Sequence, residues 1–232
     1  MPAKNSIKLY VKNGFYHIYN RGNNKAPIFF DEADYKMFLF FVKLYLSKPE
    51  DSMQLMLERF SQAVHVPKNF HQKITVVAFC LMPNHFHLLI KQTEPRTIES
   101  FMRALSIRYA MYCKKKYDRT GHLFQDRYKG ILITHDVYLL HLSRYIHLNP
   151  TELDQNKVRF SESWSSYEDY PFSSFRWYIK NKILDWFDPS PVINWFASRP
   201  IWIDKNILSY QSFVSNYKRT PPKALQRILL DS

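Results

Sequence analysis

KITVVAFCLMPNHFHLLIK, residues 73–91, is the stretch on which the reading of the fold turns. Its first half, KITVVAFCLM (73–82), is apolar and rich in β-branched residues, which is the composition of a buried strand. Pro83-Asn84 breaks the run, and HFHLLIK (85–91) resumes as another strand. Side chains alternate across a strand, so His85 and His87 project together while Phe86 turns to the other face. Two neutral imidazoles on one face are a bidentate start to a divalent-metal site. Two ligands rarely hold a metal, so a third must come from another element. The same spacing also arises without any role on a half-exposed strand.

Working outward, GFYHIYN (14–20) alternates as a strand and RGNNKAP follows as a turn. Asp31 caps a helix through DYKMFLFFVKLYL that ends before Lys48-Pro49. Residues 48–72 are polar and uneven, with one short helix at MQLMLERF and otherwise a connecting loop. Thr97 is placed as an N-cap, with Glu99 in the first turn. Ile98, Phe101, Leu105, Tyr109 and Tyr112 then recur at helical spacing up to the lysine run 114–116. GHLFQDRYKG is a turn-rich link and GILIT (130–134) a short strand. Asp136 caps VYLLHLSRYIHLN, and Pro150 stops that helix.

The order β-α-β-β-α-β-α predicts an α+β fold, a ferredoxin-like sheet with helices on one face. Residues 1–150 form the predicted main domain. Residues 151–232, where Ser, Trp, Tyr and Pro dominate as in SESWSSYEDYPFSSF, form a C-terminal extension of short helices and loops.

The chain has 232 residues, 46% of them hydrophobic, enough to bury a real core and unlike a disordered composition. No stretch approaches 18 consecutive apolar residues, so no membrane span is expected, and the first residues do not read as a signal peptide. Two cysteines, Cys80 and Cys113, suggest no disulfide framework and fit a reducing cytoplasm.

The formal charge of +13 favours a polyanionic partner. Lys4, Lys8, Lys12, Arg21 and Lys25 all precede the first acidic residue, Asp31. From Arg103 to Lys129 there are eight basic residues against two acidic ones, interleaved with Tyr109, Tyr112, Tyr117, Phe124 and Tyr128. Charge beside flat stacking surfaces suits single-stranded nucleic acid. The candidate phosphate contacts are Arg21, Arg108, Lys114, Lys115, Arg127, Lys129 and Arg144.

Residues four apart share a helical face, so Tyr145 aligns with Asn149, and Tyr138 and Leu142 continue that face. A tyrosine hydroxyl becomes a useful nucleophile where a metal polarises the phosphate it attacks. Asn149 can lend its carbonyl oxygen to the same metal. The plainer alternatives are a core aromatic at Tyr145 and an ordinary helix stop at Asn149-Pro150.

MPNHFHLLIKQ, GHLFQDRYKG and YLLHLSRYIHLNP, in that order, resemble the single-tyrosine HUH transposases, in particular the insertion-sequence-200-like and REP-associated tyrosine transposases. YHIYNRGNNKAPIF resembles that group's first strand and turn, and WSSYEDY a segment after its core. The resemblance implies a transposase that cuts and rejoins single-stranded or hairpin DNA through a 5′-phosphotyrosine. It maps the metal-binding histidines onto His85 and His87, and the nucleophile onto Tyr145 with Tyr138 as rival. It maps a third ligand onto Asn149, where the family often has Gln. Mg²⁺ or Mn²⁺ is the implied cofactor, and the protein would act as a monomer or homodimer with no membrane partner. A metal-dependent phosphoesterase using water, and a non-catalytic DNA-binding descendant, remain the alternatives.

Overall fold

The computed structural model describes residues 9–60, 68–153, 160, 164–198, 203 and 207–216. Lys4 and Lys8 lie outside the described residues. Strand β1 (Phe15–Arg21) is followed by helix α1 (Glu32–Leu46) and helix α2 (Pro49–Arg59). Strands β2 (Ile74–Met82) and β3 (His85–Gln92) flank the Pro83-Asn84 turn. Helix α3 (Thr97–Tyr117), strand β4 (Lys129–Ile133) and helix α4 (Asp136–Leu148) complete the unit. The sheet order is β2-β3-β1-β4, and every neighbouring pair is antiparallel. This is the ferredoxin-like α+β arrangement expected from the element order.

Local chemistry explains most boundaries. Asp31 accepts the Asp34 backbone N–H at 3.1 Å while the Asp34 side chain accepts the Asp31 N–H at 3.2 Å, a reciprocal cap that starts α1. Two expected caps move by one residue. Arg96, in the left-handed region at φ 63°, holds the N-cap position of α3, and Thr97 is its first helical residue. The buried Gln92 carboxamide does the capping instead, accepting Ile98 N–H at 3.2 Å. His135 precedes α4, so Asp136 lies inside the first turn, where its charge favours the helix dipole. Pro150 does not end the coil outright: Asn149–Glu152 continues as a 3-10 turn, with the proline in its first turn where no N–H is needed.

The helices cover both faces of the sheet, which corrects the one-face expectation. Helices α1 and α3 lie on the Phe86 face: the Phe38 ring is 5.1 Å from both Phe86 and Tyr109. Helix α4 packs on the opposite face, against β2, β3 and β4.

The chain after residue 150 joins the same hydrophobic core, through Tyr170, Phe172, Phe187 and Phe213 among others. Its described part carries helices α5 (Phe175–Ile179), α6 (Ser190–Ala197) and α7 (Tyr210–Ser215). It also closes the β2 edge. Leu81 N–H donates to Phe172 O, Ser174 N–H to Phe79 O, and Val76 N–H to Trp186 O, at 2.9–3.0 Å. These bonds satisfy an edge that would otherwise expose unpaired groups.

Candidate active site

The β1–β3 register places Arg21 opposite His85, Tyr19 opposite His87, and His17 opposite Leu89. Alternation puts all of these on the face that α4 covers. The expectation that His85 and His87 share a face therefore holds, with ring centroids 5.0 Å apart. Tyr145 sits on α4 with its ring edge-on to His87, at 5.5 Å between centroids, and to His17 at 6.3 Å. Tyr138 instead packs edge-on to His135 at the start of the helix. It lies seven residues before Tyr145, roughly 10 Å along the axis.

Asn149 is buried at the end of α4, and its Nδ2 donates to the Tyr145 carbonyl at 2.9 Å. That bond satisfies a terminal helix carbonyl. The Asn149 side chain also acts on both His85 and His87, favouring their protonated forms. The sequence-predicted metal residues and nucleophile thus meet in one place.

The electrostatics keep the imidazoles neutral. Burial lowers the His17 pKa to about 3, and burial followed by the Arg21 charge lowers that of His85 to about 4. Burial, with smaller contributions from His85, His17 and Arg21, holds His87 well below the usual imidazole range. A neutral imidazole offers a lone pair. The His87 Nε2 atom is buried with no hydrogen-bond partner, an orphan that a cation would satisfy. His85 Nδ1–H donates to Asn84 Oδ1 at 2.7 Å, while Asn84 Nδ2 donates to Lys25 O at 3.1 Å. This leaves His85 Nε2 as an acceptor. The described residues contain no group of three His, Cys, Asp or Glu side chains placed for a metal. The donors these residues could offer a cation are two imidazoles and the Asn149 amide oxygen. Such a set suits a divalent cation that keeps open positions.

His17 was not among the sequence candidates. It is 1% exposed, and its Nε2 lies 2.9 Å from His87 Nδ1. Only its odd-numbered alternation with Tyr19 and Arg21 hinted at a shared face.

The basic candidates divide. Lys129 lies over the Tyr19 ring, 5.8 Å from its centroid, and Arg21 acts on both histidines, so both border the site. Arg127 and Lys129, with Arg96 at the N-cap of α3 and Arg103 on it, line a groove of about 1230 Å³ at the β4 edge. Lys114 and Lys115 are exposed on the last turn of α3, outside that lining. Arg144 is corrected: it is buried, its guanidinium lies 4.2 Å from the Phe213 ring, and it donates to Phe213 O at 3.2 Å. Helical spacing turned it inward, onto α7. Arg108 is also engaged, over the Phe41 and Tyr45 rings at 5.9 and 5.6 Å, where its stem covers apolar surface.

A hydrogen-bonded chain holds α4 in place. Phe79 N–H donates to Ser174 Oγ (2.9 Å), which meets His147 Nε2 (2.8 Å). His147 Nδ1 meets the Tyr210 hydroxyl (2.9 Å), which donates to Ser143 Oγ (2.8 Å). Burial lowers the His147 pKa to about 3, so it serves as a neutral relay between the two hydroxyls.

Among solved structures, a REP-associated tyrosine transposase bound to a REP hairpin shares this fold at 16% identity and a TM-score of 0.50, over 78% of this chain and 88% of that one. A putative transposase from Deinococcus radiodurans also matches at 16% identity, over 63% of this chain and 95% of that one, with a TM-score of 0.28. No curated protein matches the chain. Residues 52–149, from α2 to the end of the α4 helix, match the family described as IS200-like transposases. That segment, which spans less than half of the chain, contains both site histidines, Tyr145 and Asn149.

Proposed function

We propose that this protein is a transposase that cleaves and rejoins single-stranded DNA, with Tyr145 as nucleophile and a divalent cation held by His85, His87 and Asn149. The observation that carries the reading is the edge-on approach of Tyr145 to His87, 5.5 Å between rings, on the face where both histidines meet Asn149. Bound there, Mg²⁺ or Mn²⁺ would polarise the scissile phosphate. The Tyr145 oxygen attacks phosphorus, the bond to the 3′ oxygen breaks, and a 5′-phosphotyrosine forms. In net balance the phenolic proton ends on the released 3′-hydroxyl. Attack by a 3′-hydroxyl on the phosphotyrosine reverses the step and joins strands, with no water or nucleotide consumed. Asn149 holds the end of the tyrosine helix through the Tyr145 carbonyl. Arg21 and Lys129 supply positive charge beside the reacting phosphate.

The fold neighbour bound to a REP hairpin motivates a hairpin with a single-stranded flank as the DNA to test. With Mn²⁺ present, the wild-type protein should form a denaturant-resistant DNA adduct and Tyr145→Phe none. Cleavage at an unchanged rate by Tyr145→Phe would favour a water-using phosphoesterase. Loss of the adduct in Tyr138→Phe alone would move the nucleophile two turns along α4.

A further inference from the structure

We propose that His17 is a positioning residue that fixes the tautomer of His87, its Nε2 accepting the His87 Nδ1–H so that the His87 Nε2 lone pair faces the site. The role bears on catalysis only if the metal reading above holds; the tautomer itself can be tested without metal. The two nitrogens are 2.9 Å apart, with the ring planes only 22° apart and the centroids separated by 5.1 Å, the edge-to-edge arrangement that an in-plane N–H···N bond needs. The register makes the geometry possible, because His17 lies one pair along from His87 on the same face, at the diagonal position across β1 and β3. Tyr19 stacks on His17 at 4.8 Å and 27°, which restrains the ring.

A neutral imidazole has one N–H and one lone pair, so the atom bonded at Nδ1 decides what Nε2 presents. Asn84 makes that decision for His85 by accepting its Nδ1–H. His17 occupies the matching position for His87. In the opposite arrangement His87 would aim an N–H into the site, toward the end of the row where the Arg21 charge acts. Positive charge there favours a lone pair over an N–H.

His17 does not suit its surroundings on grounds of stability. It is buried, and its Nδ1 has no hydrogen-bond partner. An apolar side chain would avoid both costs. A residue retained for packing alone would gain from replacement by leucine, whereas one retained to orient a ligand would not be replaceable without loss of function.

The test pairs His17→Gln, whose amide oxygen can still accept the bond, with His17→Leu, which cannot. Long-range proton–nitrogen spectra of ¹⁵N-histidine protein, first metal-free and then with Mg²⁺, report which ring nitrogen of His87 carries the proton. Wild type and His17→Gln should show it on Nδ1, and His17→Leu should show Nε2–H appearing. Mn²⁺ affinity by calorimetry should fall about 10- to 100-fold in His17→Leu, the usual cost of losing such a partner, and stay within about threefold in His17→Gln, with the His17→Leu melting temperature unchanged or raised. A wild-type His87 protonated on Nε2, or His17→Leu with wild-type tautomer and affinity, overturns the proposal. If wild type shows the Nδ1–H tautomer but binds no Mn²⁺, the positioning of His87 stands and the metal reading fails.

Discussion

Phe86 and His87 are neighbours on β3, are equally closed to solvent, and belong to opposite faces of one sheet. On one face Phe86 packs 5.1 Å from the Phe38 ring of α1, with Leu88 and Ile90 buried on the same face, and such apolar burial adds to stability. On the other, His17 and His87 lie under Tyr145, desolvated, with one nitrogen of each unpartnered. Burial on that side costs free energy. The contrast is that a single two-residue alternation separates apolar packing from the buried polar cluster of the proposed site, whose cost must be offset by stability supplied elsewhere.

The sharpest test of this division is the nucleophile, since Tyr145→Phe should remove the DNA adduct altogether while leaving the melting temperature near wild type. Next in size comes a matched pair on β3. Phe86→Ala should cost about 3–5 kcal/mol of stability, as for other buried aromatics. His87→Leu should cost little or stabilise, yet lose Mn²⁺ binding. Denaturant titration and calorimetry read both, and a strongly destabilised His87→Leu would break the comparison.

The clamp on α4 gives a third test. Tyr210→Phe removes one link between His147 and Ser143, at a cost of about 1–2 kcal/mol for a buried hydrogen-bond network. Because this clamp holds Tyr145 over the histidines of its own chain, mixing Tyr145→Phe with His87→Ala should not restore the adduct. Restoration in the mixture would show that the helix serves a partner chain.

Acid should expose the cost of the buried imidazoles. His17 and His147 have folded-state values near 3, below the usual 6.5. Stability is therefore full above about 6.5 and is lost as pH falls toward about 3, because the unfolded chain takes up protons first. Each such group adds a slope of up to about 1.4 kcal/mol per pH unit in that window. Replacing His147 by Gln should flatten the acid limb measured by urea titration at successive pH values. The smallest expected effect concerns the groove. Arg127→Ala or Lys129→Ala should reduce the salt slope of hairpin binding by about one unit each, whereas Lys114→Ala should change it less.

What the sequence determined by itself was local. The alternation of HFHLLIK set the histidines on one face, the four-residue spacing set Tyr145 with Asn149, the Asp31 cap began α1, and the order of elements implied the sheet. Each rests on contacts within one turn, one strand or one connection. What only the tertiary structure decided involved residues far apart in the chain. His17 reaches His87 across 70 positions and Arg144 turns into Phe213 across 69, so neither the tautomer partner nor the inward arginine had a local signal. The helix-face assignment likewise waited on packing: periodicity says that α4 has an apolar side, but the side of the sheet it covers follows from the edge and clamp contributed by residues 172–188 and 207–216, a segment without a regular pattern of its own. Local periodicity reports which side chains travel together; only the closed core decides which surfaces they meet, because burial is shared among elements that no short window contains.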